Sequence, residues 1–315
     1  MEIYQLRYFL AVAETGNFTK AAARCFVSQP SLSQQIINLE EELGQKLFHR
    51  LGRTISPTPA GQLLVERTRR ILVEVDNTLS ELKDDPSAKH RVAVGAIPTI
   101  APYLLPKVIA RCRMSHPQLE ITTHEDFLPY LIDSVVQGEL DLALVSLPIR
   151  DPRVTIETLF KESLQLVVGF THPLCHKGKI TGRDLRDETF IMLGTSSSVT
   201  AQIQRFCGDH HFEPRVGHKC SQVPTVKTLV ALGLGVAILP ASTYASGDEQ
   251  MLVYKEIATG APTREIGLVT HPRRYQSRGS AQFVATLRAA LAREPIPLLD
   301  GPAAPHTGVA PPRKV

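Results

Sequence analysis

In the stretch SQPSLSQQIINLEEEL, Ser28 to Leu43, apolar residues fall at Leu32, Ile36, Leu39 and Leu43. Counted from Leu32 the offsets are four, seven and eleven residues, the period of one helix face. The other side carries Ser31, Gln34, Gln35 and Asn38, with no Lys or Arg among them. A face of hydroxyls and amides has the groups that read base edges in the major groove: Gln or Asn bidentate to adenine, Ser to several bases. Pro30, Gln34, Ile37 and Asn38 project opposite the apolar stripe. Ile37 suits a thymine methyl or a neighbouring helix. Glu40 to Glu42 would repel phosphate, so the C-terminal end of the helix is expected to point away from DNA. From the helix alone a second reading stays open, a plain amphipathic helix with a polar solvated face.

The flanks bear on that choice. Leu6, Phe9, Leu10 and Ala13 form a stripe on an earlier helix, and Gly16 and Asn17 suit its C-cap and the N-cap of the next. That next helix, about Phe18 to Cys25, is short and Ala-rich. Ser28 suits a cap for the third helix, with Pro30 in its first turn. Two helices joined by a tight turn, the second with an uncharged polar face, form the helix-turn-helix pattern. After it, two β-prone runs flank Leu51-Gly52 as a hairpin, a wing whose Arg50 and Arg53 would meet phosphate or the minor groove. An ordinary basic turn is the plainer alternative. Thr58 and Pro59 then open a long helix without Gly or Pro from Gln62 to about Lys83. Its stripe of Leu64, Ile71, Val75, Leu79 and Leu82 suits an antiparallel partner helix, in a dimer or elsewhere in the chain.

The segment FLAVAETGNFTKAAARCFVSQPSLSQQIINLEEELGQKLFHRLGRTISPTPAG resembles the DNA-binding region of LysR-type transcriptional regulators over some sixty residues. The resemblance implies a winged helix-turn-helix (residues 1–58), a dimerising linker helix (59–85) and a hinge (86–90). It further implies a two-lobed α/β effector domain similar to periplasmic binding proteins (91–294). DNA contacts are then expected from Ser28, Gln29, Pro30, Ser31, Ser33, Gln34, Ile37, Asn38, Arg50 and Arg53. Many family members carry a basic residue within the QQI segment; this chain has Gln34, Ile37 and Asn38.

Beyond the polar stretch DDPSAKH, strands and helices alternate, which implies a parallel sheet flanked by helices. Strands are expected at RVAVGAI, LEITTHEDF, LDLALVSLP, LQLVVGF, TFIMLG, GVAILP and REIGLVTH. Helices are expected near 101–117, 131–138, 199–207, 223–233 and 281–294. In the family the last strand and helix return to the first lobe. Residues 295–315, rich in Pro, Gly and Ala, read as a disordered tail. Ligands of open α/β sheets sit beyond the carboxyl ends of strands. There IPTIAP and GTSSSVT place Thr99, Thr195, Ser196, Ser197 and Ser198 before helices, with Ile100 and Thr225 added to the set. Hydroxyls at helix N-termini suit a small anion; simple helix capping is the bland reading.

The bounds agree. Of 315 residues 43% are hydrophobic and 21% charged, with a formal net charge of +4, ordinary for a globular protein and permissive of a nucleic-acid partner. No apolar run reaches the ~20 residues of a membrane span, and MEIYQLRYFL lacks the pattern of a signal peptide. Five scattered cysteines without CxxC point to a reducing, cytoplasmic location.

No cofactor is expected. GLGVAILP is no dinucleotide fingerprint. HPLCHKG gathers His172, Cys175 and His176 without a second ligand cluster. The chain also lacks a phosphate loop and a GxSxG elbow, which argues against an enzyme. IPTIAPYLLP, THEDF and the segment FIMLG through FEP are similar to the peroxide-sensing OxyR branch. That branch has a reactive cysteine nine positions before the one matched by Cys207, where this chain has Ser198. Small-molecule sensing by a dimer or tetramer on operator DNA is therefore the expectation. A thiol switch through Cys207, with Cys220 as partner, is the alternative. A ligand-binding protein or enzyme without a DNA role is the contrasting class.

Overall fold

The structure is a computed structural model and describes residues 1–51, 54–84, 89–258 and 260–293. The tail expected over 295–315 and most of the hinge expected over 86–90 lie outside the described residues. The chain divides into two compact units, one N-terminal and a larger one that begins after residue 85.

In the N-terminal unit local signals set each boundary. Helix α1 (Ile3–Thr15) stops at Gly16, whose φ of 60° is left-handed and lets its N–H reach the Val12 carbonyl, a geometry glycine adopts without Cβ strain. Asn17 caps α2 (Phe18–Arg24) by accepting from the Lys20 N–H at 3.0 Å. Ser28 caps α3 (Gln29–Leu43) by accepting from the Ser31 N–H at 3.3 Å. Phe9, Val12, Ala21, Leu32, Ile36, Leu39, Leu47 and Phe48 share one core, and the small Ala21 and Ala22 let α2 lie close to its neighbours. The hairpin follows, β1 (Phe48–Leu51) antiparallel to β2 (Thr54–Pro57) with Phe48 opposite Pro57. Thr58 caps α4 (Pro59–Lys83), accepting from the Gly61 N–H at 3.0 Å while its hydroxyl donates to the Lys46 carbonyl at 2.6 Å. A Cβ on Gly61 would stand 2.1 Å from the Leu47 carbonyl oxygen, so only glycine allows α4 to begin against this loop.

Three expectations need correction here. Leu43 is 39% exposed and does not complete the buried stripe of α3. Gln35 is not on the open face: its carbonyl oxygen accepts from Gln5 Nε2 of α1 at 3.1 Å. Glu40 is buried, accepting from the Leu47 N–H at 2.9 Å and Lys46 Nζ at 3.0 Å. It therefore ties the end of α3 to the wing instead of presenting charge to phosphate.

The larger unit runs β3 (His90–Ala96), α5 (Ala101–Ser115), β4 (Leu119–Glu125), α6 (Leu128–Gln137), β5 (Leu142–Leu147), β6 (Thr155–Gly169), β7 (Thr189–Leu193), α7 (Ser198–Asp209), β8 (Arg215–Cys220), α8 (Val223–Ala231), β9 (Ala237–Pro240), β10 (Leu252–Lys255), β11 (Thr263–Thr270) and α9 (Arg278–Arg293). Two hydrophobic cores mark two lobes, one around Val94, Leu131, Leu144, Ile266 and Phe283, the other around Leu166, Phe190, Ile203, Val226 and Ile238. The sheet path is β10-β6-β11-β5-β3-β4, with β9 also on β6; β7 and β8 form a pair of their own. It is mixed, not wholly parallel: β3 is parallel to β4 and β5, whereas β11 is antiparallel to β5 and β6. Strand β6 is twice the length of the apolar run LQLVVGF. Ile156, Leu159 and Phe160 pack on the first core, and Leu164 to Val168 enter the second. It is thus a crossover between lobes. Strand β11 and α9 return to the first core.

Candidate functional site

Helix α3 separates its residues cleanly. Leu32, Ile36 and Leu39 have no solvent exposure, which fixes the helix's rotation. Ser28, Gln29, Pro30, Ser31, Gln34 and Asn38 are exposed, and Ser33 and Ile37 are half-buried. Gln34 Nε2 donates to Asn38 Oδ1 at 2.9 Å, one turn along the helix. Each amide holds the other's orientation, and the Gln34 oxygen and the Asn38 N–H groups are left for another partner. An adenine edge asks for one acceptor and one donor. Of the wing arginines, Arg50 lies in β1, its side chain beyond what is described, and Arg53 lies outside the described residues.

The second site is a cleft in the larger unit, a cavity of about 430 Å³. The first lobe lines it with Ile97, Pro98, Thr99, Phe127, Leu128 and Ser146, and the second with Leu193 to Ser198, Ala201 and Ser221. The predicted Thr99, Thr195, Ser196, Ser197 and Ser198 therefore converge. Two predicted residues do not join them: Ile100 is buried in the core of the first lobe, and Thr225 is exposed on α8 away from the lining. Ile100 is apolar and turns into the core; Thr225 follows a helix start that does not open on the cavity.

The bland reading of the serines also changes. Ser197 occupies the N-cap position of α7 yet makes no side-chain capping hydrogen bond. The loop is held by other means. Gly194 N–H donates to the Cys220 carbonyl at 2.9 Å, Ser197 N–H to the Gly194 carbonyl at 3.0 Å, and the Thr200 hydroxyl to the Leu193 carbonyl at 2.8 Å. The N-terminus of a twelve-residue helix, with its partial positive charge and unsatisfied N–H groups, thus opens on the cavity with spare hydroxyls.

Thr99 is fixed from behind. Arg264 of β11 donates from Nη1 to Thr99 Oγ1 at 2.7 Å and from Nη2 to the Thr99 carbonyl at 3.2 Å. Its Nε donates to Glu162 Oε1 of β6 at 2.8 Å, and the other Glu162 oxygen accepts from the Ser242 N–H at 2.9 Å. Arg264 and Glu162 face each other across the two strands, both side chains wholly buried. Burial lowers the pKa of Arg264 and the Glu162 carboxylate opposes this. With its oxygen accepting from arginine, Thr99 keeps its own O–H to donate. Arg264, Glu162, Ser146 and Ser221 were missed in the sequence. Only Ser146 carries a local signal, a polar residue within the apolar strand LALVSL.

Cys207 is wholly buried in α7, and burial pushes its thiol up to about 11; burial also raises Cys220. The position nine residues before Cys207 is Ser198, on the cavity wall. His172 of HPLCHKG accepts from the Leu174 N–H at 3.3 Å through Nδ1 and meets Glu188 at 3.2 Å through Nε2, as a turn cap does. Among the described residues no three metal-binding side chains gather, and no helix is long and apolar enough to cross a membrane.

Comparison with known proteins covers both regions of the chain. The bacterial regulatory helix-turn-helix protein, lysR family, matches residues 3–62, and the LysR substrate binding domain matches residues 87–292. A hydrogen peroxide-inducible genes activator of Pectobacterium carotovorum subsp. carotovorum is 33% identical over 276 residues, 86% of this chain and 91% of that protein. The regulator BenM of Acinetobacter baylyi is 34% identical over 248 residues, 77% of this chain and 81% of that one. Among solved structures, a full-length OxyR cysteine variant from Pseudomonas aeruginosa superposes with a TM-score of 0.68 at 28% identity, covering 94% of this chain and 96% of that chain. Full-length BenM gives 0.58 at 30%, covering 93% and 97%.

Proposed function

The chain belongs to the LysR family of bacterial transcriptional regulators, and from that membership and its own residues we propose how it reads DNA and what it senses. It is a DNA-binding regulator whose larger unit takes a small-molecule effector. We assign DNA reading to residues 1–58, dimerisation to 59–85, a hinge to 86–90 and the effector domain to 91–294. Its place is the cytoplasm and it has no enzymatic step.

Ser28, Gln29, Pro30, Ser31, Ser33, Gln34, Ile37 and Asn38 enter the major groove, and Arg50 and Arg53 meet the backbone beside it. The observation that carries this is the Gln34–Asn38 pair, exposed and uncharged on a helix whose other side is locked in the core. Binding-site selection followed by titration tests it. Gln34→Ala should weaken the selected operator by about 1–3 kcal/mol and relax the preference at one base pair of each half-site. Unchanged affinity together with unchanged preference would reject this orientation of α3.

The effector is a small anion held between the lobes by Thr99 and by Thr195 to Ser198, where a helix N-terminus and free hydroxyls meet. Its binding stabilises one arrangement of the lobes over others and so shifts which DNA geometry the dimer or tetramer favours.

A thiol switch is the second reading, favoured by the peroxide-inducible relatives. The buried Cys207 and the hydroxyl of Ser198 oppose it, because a serine forms neither sulfenate nor disulfide. The footprint on a bound operator should therefore be the same with and without mild peroxide, in the natural chain and in Cys207→Ser alike. A peroxide-dependent footprint that disappears in Cys207→Ser overturns the ligand reading and makes Cys220 the first candidate partner.

A further inference from the structure

One hydroxyl in the cavity wall is buried and left by the fold without a partner. Ser146, near the end of β5, is 4% exposed, lines the cleft, and its Oγ is buried with no hydrogen-bond partner. Folded proteins rarely keep such a group without a use. Ser146 sits on the lobe opposite the N-terminus of α7, so the cavity has two polar ends of different character. The α7 end has helix N–H groups and the hydroxyls of Ser197 and Ser198, which suit a negative charge. The Ser146 end has a hydroxyl able to donate once and accept. Leu128, Leu193 and Ala201 in the same lining are apolar.

Among the described residues no Lys, Arg or His stands in the lining. Arg264, behind Thr99, is already paired with Glu162. A second full charge at the Ser146 end would be desolvated without a cation to meet it, which is costly. An uncharged oxygen there would instead satisfy the orphan hydroxyl.

Resting on the cleft as the effector site, we propose that the effector is a small monocarboxylate bearing a second, uncharged oxygen. Its carboxylate lies at the N-terminus of α7, and its hydroxyl or carbonyl oxygen is hydrogen-bonded to Ser146. Dicarboxylates and bare carboxylic acids of the same shape are the disfavoured classes.

The test is calorimetric titration of the full-length chain with two matched sets of three probes. One set is 4-hydroxybenzoate, benzoate and terephthalate; the other is 4-oxopentanoate, pentanoate and glutarate. In at least one set the hydroxy or oxo acid should bind about tenfold more tightly than the other two members, the worth of one hydrogen bond. Ser146→Ala should bring it level with the bare acid. A tighter diacid or bare acid, a preference that survives Ser146→Ala, or no binding by any of the six at millimolar concentration overturns the assignment. Ala201→Trp, which sets a bulky ring in the cavity lining, separates this from the reading beneath it. If a probe binds that variant undiminished, with its melting temperature unchanged from the natural chain, the cleft is not the effector site at all.

Discussion

Replacing Arg264 with Met should lower the stability of the effector domain by about 3–5 kcal/mol, the range for stranding one member of a buried ion pair. The Glu162 carboxylate would keep the Ser242 N–H but lose its cation in a place without solvent. The same change removes both bonds that hold Thr99, so the effector response should fail even where the fold survives. Arg264→Lys should recover little, because an ammonium cannot span Glu162, the Thr99 hydroxyl and the Thr99 carbonyl as a planar guanidinium does. The double change Arg264→Met with Glu162→Leu should recover most of the stability and none of the response, since apolar replacement of a whole buried pair is often neutral. Urea unfolding followed by circular dichroism reads the first quantity, and probe titration the second. A single variant as stable as the natural chain would mean that the pair is not desolvated as described.

That pair also shows where the sequence stopped being readable. The helix-turn-helix was legible because its signals are local: Gly16, Asn17, Ser28 and Thr58 sit where the caps are, and the stripe of α3 needs only a period. The first half of β6, TIETLFKES, mixes polar and apolar residues without a period of two and stays partly exposed, so neither an apolar run nor an alternation announced it. Strand β8 is exposed in all but its last residue and was silent for the same reason. Glu162 and Arg264 lie 102 positions apart, and only the pairing of β6 with β11 brings them together. Glu40 went wrong differently. In the run EEE it reads as surface charge, and only the loop turning back from Gly44 supplies the Leu47 N–H that buries it. The Thr99 and GTSSSVT loops were legible because each follows a strand, but the spare hydroxyl of Ser146 was not. Its neighbours in LALVSLP are apolar, and nothing local tells whether its side faces a core or a cavity.

The largest effect on DNA binding should come from α4, away from the reading helix. Leu72 is buried, and salt bridges from Arg7 to Asp76 at 2.8 Å and from Arg69 to Glu14 at 3.4 Å bind this helix to α1. Leu64 and Val75 are half-buried, but Ile71, Leu79 and Leu82 are 38%, 47% and 79% exposed. These residues recur at helical spacing on a 25-residue helix, too long for the small unit before it to cover. An apolar strip of this kind is best satisfied by the same strip on a second copy. Glu at both Ile71 and Leu79 would place charges in that seam while leaving Leu72 and the core of the reading unit intact. Sedimentation should then find monomers. Operator affinity should fall by about 10²-fold or more, because linked half-site binding gains its strength from effective concentration and not from new contacts. The salt dependence per half-site should stay as it was, since no phosphate contact changes. An intact dimer in that double variant would move the interface off α4, and a monomer that bound the full operator undiminished would show that the two reading heads do not act as a linked pair.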